Sequence, residues 1–412
     1  MRPVRSFAGM RLAPVLAPAL AGMLFAGTAA ADAPGGPSSV IGGSDAKPGE
    51  WPDVAAVLFP DASGDDALCT GTLVAPTVVL TAGHCHDPLD PPLPDNVLIG
   101  TSSLARPGDG ETIAIKRAYV YPDPDTTEDL AVLVLARASS RKPRQVVDGW
   151  ARLDLFNGAQ VELVGFGAIN ANGDHFIDEL QEASSSITDV DCTRSAGCNP
   201  GAQPAGELGA GGMGIDTCPG DSGGPLYLKT TYGAVLAGVT SRSYDNPPVP
   251  CSGGGIYVRP DKILDWIEMI AGVPIARVGA PRADPLVAVH GGGDDTRIAV
   301  NDPMSDAHSF ELTAPPAHAM ANLRSDGALR VCIDPAAAPG DDQLTVTITD
   351  TKHPNRALPL VIPIHIQDGT PPMSCDINAF SEPGGCCSAS SQPGAIPVAL
   401  GVLVLLRRRR RS

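Results

Sequence analysis

Residues 216–226 read DTCPGDSGGPL, the most specific signal in the chain. Glycines lie on both sides of Ser222, and because glycine has no Cβ, the backbone can bring N–H groups close around the serine hydroxyl. The N–H groups of Gly220 and Ser222 are therefore candidates for an oxyanion hole, which stabilises the negative charge that develops in acyl transfer. A nucleophilic serine also needs a base and a group that orients the base.

Two motifs earlier in the chain can supply those groups. His84 follows LTAG and precedes Cys85, so it sits directly after a turn of small residues. Asp129 precedes the apolar run LAVLVL, and a carboxylate that enters such a run is costly to bury without a partner. We therefore predict a catalytic triad in which Ser222 is the nucleophile, His84 the base and Asp129 the orienting carboxylate.

These motifs, in the order histidine, aspartate, serine, resemble those of the trypsin (chymotrypsin-like) family of secreted serine endopeptidases. The resemblance covers residues 40–273 and implies an all-β fold, a double β-barrel with the triad in the cleft between barrels and a C-terminal helix at 261–271. It also implies protein or peptide substrates, an acyl-enzyme and no cofactor. Short apolar and β-branched runs bounded by turn residues agree with this fold, and Thr72–Leu80 is predicted as one of the strands.

The resemblance further implies a substrate pocket. Asp216 matches the carboxylate at the pocket base that selects Arg or Lys, Gly255 matches a pocket-wall glycine, and Ser241 matches the residue along the substrate backbone. Two positions depart from the family: Arg242 stands where tryptophan is usual, and Ser243 where glycine is usual. Ser243 could narrow the pocket, and Arg242 could reach Asp216 and compete with the substrate. Cleavage after Arg or Lys is the expectation.

An activation step is also implied. Residues 40–43 read VIGG and resemble the family's mature N-terminus, where the freed amino group of Val40 would pair with Asp221. The chain is therefore expected to be a zymogen with a short pro-segment at 32–39. Ser39 stands where the family usually has Arg or Lys. Either a different activating protease removes the segment, or the true start lies elsewhere.

The resemblance and one departure from it give three expected disulfides: Cys69–Cys85, Cys192–Cys198 and Cys218–Cys251. Cys192 matches a family cysteine, but Gly209 occupies the position of its usual partner, which leaves Cys198 as the nearby thiol. Cys332 and Cys375 could pair in or beside a second domain, and the sequence leaves this open.

Both ends of the chain predict export. Residues 1–31 have the basic, apolar, small-residue order of a signal peptide, with an N-terminal membrane anchor as the alternative. Secretion would carry the ten cysteines into an oxidising compartment. Residues 392–412 contain an apolar stretch followed by five arginines and resemble the sorting tails of myxobacterial surface proteins. A plain transmembrane helix is the alternative there. We expect a secreted chain attached at the outer cell surface through this C-terminal segment.

The composition changes after the protease-like region. Residues 274–284 are expected to form a linker, 285–367 a small β-sandwich of the cadherin or immunoglobulin kind, and 368–391 a flexible stalk. Six strand-like runs support the sandwich: 286–289, 297–300, 309–313, 330–333, 344–349 and 358–366. The acidic turn at 301–306 could bind calcium, although a solvated turn is the simpler interpretation.

Charge and motifs exclude some classes of function. A net charge of −17 argues against a nucleic-acid partner, because phosphate binding needs a basic face. The sequence has neither the His-Glu-x-x-His motif nor the cysteine spacing of a zinc site, so no metal is expected. We expect a monomer. Two other classes stay open: a binding or adhesion protein that keeps a protease-like scaffold without turnover, and a surface structural protein held by the sandwich.

Overall fold

The structure of the protein is a computed structural model. It describes residues 39–60, 68–87, 92–122, 127–194, 197–199, 201–202, 206–245, 249–251, 253–302, 307–370 and 374–381. The predicted signal peptide, almost all of the pro-segment, the C-terminal segment 392–412 and most of the turn 301–306 lie outside these residues. Within them, no helix is long and apolar enough to cross a membrane.

A short strand, β1 (Ser44–Asp45), precedes the first barrel, which closes in the order β2-β3-β4-β7-β6-β5. Its strands are β2 (Val54–Leu58), β3 (Leu68–Ala75), β4 (Val78–Thr81), β5 (Asn96–Ile99), β6 (Glu111–Val120) and β7 (Ala131–Leu135). Every residue of β4 and β7 is buried, which explains why both read as continuous apolar runs.

The stretch predicted as one strand, Thr72–Leu80, is instead a hairpin. Strand β3 ends at Ala75, Pro76 and Thr77 form the turn, and β4 returns antiparallel with Thr72 opposite Leu80. Proline lacks the N–H group that an inner strand donates to its neighbour, which is why the run divides there.

The second barrel is also six-stranded. Its strands are β8 (Gln160–Gly165), β9 (Gln181–Asp189), β10 (Glu207–Ala210), β11 (Pro225–Thr230), β12 (Gly233–Ser243) and β13 (Gly255–Val258). They follow the order β9-β10-β13-β12-β11-β8, and pairing of β8 with β9 closes the ring, while β1 adds to the outer edge of β9. The predicted all-β double barrel is therefore confirmed.

The expected C-terminal helix is present as α1 (Leu264–Ala271), preceded by a 3-10 turn at Pro260–Lys262. It ends at Gly272, whose φ of +69° is the left-handed conformation that favours glycine. Leu264 and Ile267 are buried. The ring of Trp266 packs edge to face on the ring of Tyr121, which directly follows β6 of the first barrel, and the two ring centroids are 4.8 Å apart. The helix that follows the second barrel thus packs on the first.

Two further sheets follow the barrels. Their strands are β14 (Leu286–Val289), β15 (Gly293–Arg297), β16 (His308–Ala314), β17 (Ala319–Leu323), β18 (Ala328–Ile333), β19 (Gly340–Asp350) and β20 (Ala357–Gln367). One sheet has the order β14-β20-β19-β16 and the other β15-β18-β17. Apolar residues from both sheets form one core, as in a sandwich. Strand β17 was not predicted, because alanine and asparagine in AMANL favour strands weakly.

The sandwich and the barrels share part of a core. Trp150 lies in the turn Gly149–Asp154 between the two barrels, is fully buried, and belongs to the apolar cluster of the sandwich. Its ring lies 5.2 Å from the ring of His308. Arg356 of the sandwich forms an ion pair of 2.7 Å with Asp154 and donates to the Tyr232 hydroxyl. The protease region is thus docked on the module through packed side chains.

Part of the predicted stalk is bound to the sandwich. Cys375 forms a disulfide with Cys332 of β18, so this pair, left open by the sequence, is joined. The Arg330 side chain donates to the Asp376 carbonyl at 2.7 Å, and Arg324 lies over the Phe380 ring at 5.3 Å. Residues 374–381 therefore lie against the sheet β15-β18-β17.

We predict that Trp150→Ala destabilises the chain by about 3–5 kcal/mol, because the substitution leaves a cavity where the sandwich core meets the barrels. Trp150→Phe is the matched control. It keeps an aromatic ring and removes an indole N–H that has no acceptor among the described residues, so it should cost about 1–2 kcal/mol. Urea unfolding of both variants measures the difference, and equal costs would contradict this role of Trp150.

Candidate active site

The three predicted triad residues come from separate elements, and the structure brings two of them, His84 and Asp129, into direct contact. His84 lies in the 3-10 turn Gly83–His86 that follows β4, and Asp129 lies just before β7. Because β4 and β7 are paired neighbours, with Thr81 opposite Ala131, the residues that flank these strands come close together. The imidazole Nδ1 of His84 lies 2.8 Å from Oδ2 of Asp129.

The Asp129 carboxylate has donors from both barrels. The backbone N–H of His84 donates to Oδ1 at 2.9 Å. The hydroxyl of Ser241, in β12 of the second barrel, donates to Oδ2 at 2.7 Å. Asp129 itself is 8% exposed, so these donors replace water around a buried charge. The sequence placed Ser241 along the substrate backbone, and its bond to Asp129 was missed.

The electrostatics of the pair favour a charged Asp129 and a basic His84. Burial alone would lower the pKa of His84, but the hydrogen bond and charge of Asp129 outweigh it and raise that pKa above its ordinary value. Burial would raise the pKa of Asp129, but His84 and the Ser241 hydroxyl together lower it. The arrangement can therefore accept a proton on the imidazole beside a carboxylate that stays ionised.

The Ser222 turn is tied to both barrels. The Ser222 carbonyl accepts from the Thr70 N–H at 2.8 Å and lies 3.8 Å from the sulfur of Cys85, the residue after His84. On the other side, the Gly223 N–H donates to the Thr240 carbonyl at 2.8 Å. A Cβ on Gly223 would come within 2.0 Å of a Thr81 oxygen, so glycine is required for this close approach.

The proposed oxyanion donors lie in the same turn. Gly220 has a φ of +93°, a conformation that only glycine adopts without strain, and its carbonyl accepts from the Thr70 hydroxyl at 2.8 Å. The N–H groups of Gly220 and Ser222 have no acceptor within the described part of the chain. Thr70 was not identified from the sequence, although its hydroxyl holds the carbonyl of one of these two residues.

A cavity of about 250 Å³ opens beside Ser222. Two predicted pocket residues, Ser241 and Ser243, line it together with Thr217, Cys218, Pro219, Thr240 and Arg242. Asp216, which precedes the lining residue Thr217, is fully buried and accepts from the N–H groups of Thr217 at 2.8 Å and Gly254 at 3.0 Å. The fourth predicted residue, Gly255, lies next to Asp216: a Cβ added at this glycine would lie 3.6 Å from the Asp216 Oδ1.

The two residues that depart from the family pattern, Ser243 and Arg242, are both held by hydrogen bonds within the protein. The Ser243 hydroxyl donates to the Pro250 carbonyl at 3.2 Å and stays on the cavity wall. The Arg242 guanidinium forms a bidentate pair with Glu207, with N–O distances of 2.8 and 3.0 Å. The idea that Arg242 competes for Asp216 is therefore wrong, because the buried carboxylate of Glu207 in β10, two strands away in the barrel, holds the guanidinium instead.

The predicted activation residues are both buried. Asp221 is fully buried, and its carboxylate accepts from the N–H groups of Gly167 at 2.8 Å and Cys218 at 2.9 Å. Burial raises the pKa of Asp221 to about 7, although these two donors act in the opposite direction. Val40 is also fully buried and has a φ of +29°, a strained conformation for a β-branched residue.

Disulfides brace the site. Each of the three expected pairs is present: Cys69–Cys85, Cys192–Cys198 and Cys218–Cys251. The first joins β3 to the His84 turn, and the third joins the Ser222 turn to the segment before β13.

Comparison with known proteins agrees with this geometry. The family model named Trypsin matches residues 40–267, more than half of the chain. Human kallikrein-8 is 31% identical over 248 residues, which make up 57% of this chain and 86% of kallikrein-8. Human serine protease 56 is 33% identical over 245 residues, or 56% of this chain, and the chain spans only 38% of the length of that relative.

Two solved structures are similar as well. Neuropsin, a serine protease expressed in the limbic system of mouse brain, is 27% identical with a TM-score of 0.45, covering 55% of this chain and 98% of its own. The secreted serine protease VesC from Vibrio cholerae is 21% identical with a TM-score of 0.44, covering 80% of this chain and 72% of its own. On the family match, the chain belongs to the trypsin family, and its enzyme class is that of a serine-type endopeptidase.

We predict that Asp129→Asn lowers the pKa of His84. The substitution removes the negative charge that favours the imidazolium, whereas the burial that opposes it remains. Titration of the His84 ring protons by NMR measures the shift. Asp109→Asn, which removes an exposed carboxylate of a surface ion pair, is the control and should leave the titration where it is. An unchanged His84 titration in Asp129→Asn would contradict the coupling.

Proposed function

We propose that the protein hydrolyses peptide bonds through an acyl-enzyme formed on Ser222. Ser222 attacks the scissile carbonyl while His84 takes the hydroxyl proton and then delivers it to the leaving amine. Water, deprotonated by His84, releases the acyl group in the second step. Asp129 holds the imidazole in position, and the N–H groups of Gly220 and Ser222 donate to the oxyanion. The observation that carries this proposal is the His84–Asp129–Ser241 hydrogen-bond series beside the cavity that Ser222 lines.

We propose further that cleavage follows Arg or Lys. The support is Asp216, a buried carboxylate whose neighbour in sequence, Thr217, lines the cavity. Arg242 is held by Glu207, which leaves it unavailable as an internal competitor for Asp216. A cationic side chain that enters the cavity would then approach a carboxylate in a partly desolvated site, where charge pairing is strong.

Paired chromogenic peptides test the reaction and the specificity. A chain that begins at Val40 should cleave an Arg peptide and leave the matched Phe peptide largely intact. Ser222→Ala should abolish cleavage, and Asp216→Ser should reduce cleavage of the Arg peptide by about a hundredfold or more, because a buried charge partner is lost. Cleavage of only the Phe peptide would overturn the specificity proposal. Absence of cleavage by a folded chain with a free Val40 amine would favour a protease scaffold without turnover.

We also propose that the chain is a zymogen, activated by a separate protease that cuts before Val40. Asp221 is a buried carboxylate that accepts hydrogen bonds from two backbone N–H groups, those of Gly167 and Cys218. A cation beside it would remove the cost of burying its charge. The freed ammonium group of Val40 would be such a cation, and the pairing would order the turn that carries Ser222.

Activation should change how stability depends on pH. In the uncut chain the raised pKa of Asp221 means that the folded state holds its proton more tightly than the unfolded state, so stability falls as pH rises from about 4 through 7. With a free Val40 ammonium the Asp221 pKa should drop and this loss should disappear. Urea midpoints at pH 5 and pH 8, measured on the full chain and on a chain that begins at Val40, both carrying Ser222→Ala, make the comparison. Equal pH dependence would contradict the pairing.

Finally, we propose secretion followed by attachment at the outer cell surface through residues 392–412. The order of residue types in 1–31 and the basic, apolar C-terminal segment support this. The four disulfides also fit an oxidising compartment.

A further inference from the structure

Arg242 makes a full set of hydrogen bonds within the protein. Its Nε and Nη2 donate to the Gly197 carbonyl at 3.2 and 2.7 Å. Its Nη1 and Nη2 donate to the two carboxylate oxygens of Glu207, and Nη1 also donates to the Ser241 hydroxyl oxygen at 3.1 Å. A guanidinium has five N–H donors, and these contacts use all of them.

The acceptors of Arg242 come from two parts of the second barrel. Glu207 is the first residue of β10, and its side chain is 1% exposed, so the Arg242 guanidinium compensates a carboxylate that water does not reach. Gly197 belongs to the small loop closed by the Cys192–Cys198 disulfide. The Asn199 N–H donates to the Glu207 carboxylate at 2.7 Å, which ties the same loop to the ion pair a second time.

The hydrogen bonds around Arg242 and Glu207 extend to the first barrel at two points. The Ser241 hydroxyl, which accepts from Arg242, donates its own proton to Asp129 at 2.7 Å. The Asn199 side chain donates to the carbonyl of Thr127, two residues before Asp129, at 2.9 Å. Accepting from a guanidinium polarises a hydroxyl and strengthens the bond that it donates.

We propose that Arg242 is a positioning residue for catalysis, which acts on Asp129 through Ser241. This inference rests on the proposed protease function. The guanidinium orients the Ser241 hydroxyl toward Asp129 and, through Glu207 and the Cys192–Cys198 loop, holds the second barrel against the segment that carries Asp129. Although Arg242 lines the cavity, its donors are committed to the protein, so it does not serve as a subsite for acidic substrate side chains.

A double-mutant cycle in the chain that begins at Val40 tests this route. Arg242→Met keeps an unbranched apolar stem at the cavity wall and removes the guanidinium. We expect a decrease in kcat of about tenfold with KM within about twofold, because one charged hydrogen bond that supports the triad is lost. In a Ser241→Ala background the same substitution should change kcat by less than about twofold, since the connecting hydroxyl is already absent.

Two further variants separate positioning from folding. Arg259→Met removes another buried ion pair of the second barrel, with Asp261, and should lower thermal stability without lowering kcat. If Arg242→Met alone does not fold, Arg242→Met combined with Glu207→Met removes both charges and should fold while still showing the decrease in kcat. Peptides with Glu in place of Gln beside the cleaved residue should be cut equally by the wild-type chain.

An NMR measurement keeps the inference separate from the proposed function. The Nδ1 proton resonance of His84 should move in Arg242→Met and stay in place in Arg259→Met, whether or not any peptide is cleaved. An inactive wild-type chain would therefore overturn the protease function, and the His84 resonance would still show whether Arg242 acts on the His84–Asp129 pair. Four results would each overturn the role of Arg242. Two are kinetic: equal kcat losses in the two backgrounds, or a change confined to KM. The others are a wild-type preference for the Glu peptide that Arg242→Met abolishes, and a His84 resonance that does not move in Arg242→Met.

Discussion

A buried carboxylate at the junction of two barrels is the constraint on which the site depends. Asp129 is almost excluded from water, so its charge must be matched by protein donors. The backbone and ring of His84 provide donors from the first barrel, and Ser241 provides one from the second. The carboxylate receives all of these hydrogen bonds because the two barrels are packed together here. That packing also places the Ser222 turn, whose main chain is held by Thr70 and Thr240, beside the cavity.

Other buried carboxylates in the protease region are balanced in different ways, and the difference relates to their proposed roles. Asp53 pairs with Arg144 and accepts from the Tyr227 hydroxyl at 2.6 Å. Glu207 pairs with Arg242. In contrast, the hydrogen bonds of Asp221 come from backbone N–H groups, and its raised pKa reflects the cost of burying the charge. A carboxylate with a permanent cation has its buried charge compensated in the folded chain, whereas one without such a cation can respond to an ammonium group that appears later.

The sandwich is joined to the catalytic region by packing as well as by the chain. Trp150 lies in the turn between the barrels and yet belongs to the sandwich core, and Arg356 pairs with Asp154 of the same turn. A side chain this large, buried between two modules, couples their stability, because separating them would expose it to water. The Cys332–Cys375 disulfide extends this order into residues 374–381. The protease region, the sandwich and the start of the following segment therefore form a continuous set of contacts.

The sequence alone determined the His84, Asp129 and Ser222 motifs and the apolar spacing of the terminal helix, because these depend on local residue type and spacing. The double barrel and the three disulfides were predicted only through the resemblance to the trypsin family that these motifs carry, together with one departure from it. Features that depend on distant partners needed the tertiary structure. Arg242 and Glu207 are 35 positions apart in the sequence, and the residues around either of them do not predict that the two side chains pair. The hairpin at Pro76, strand β17 and the place of Trp150 were likewise decided by non-local pairing and burial, which outweigh weak local preferences.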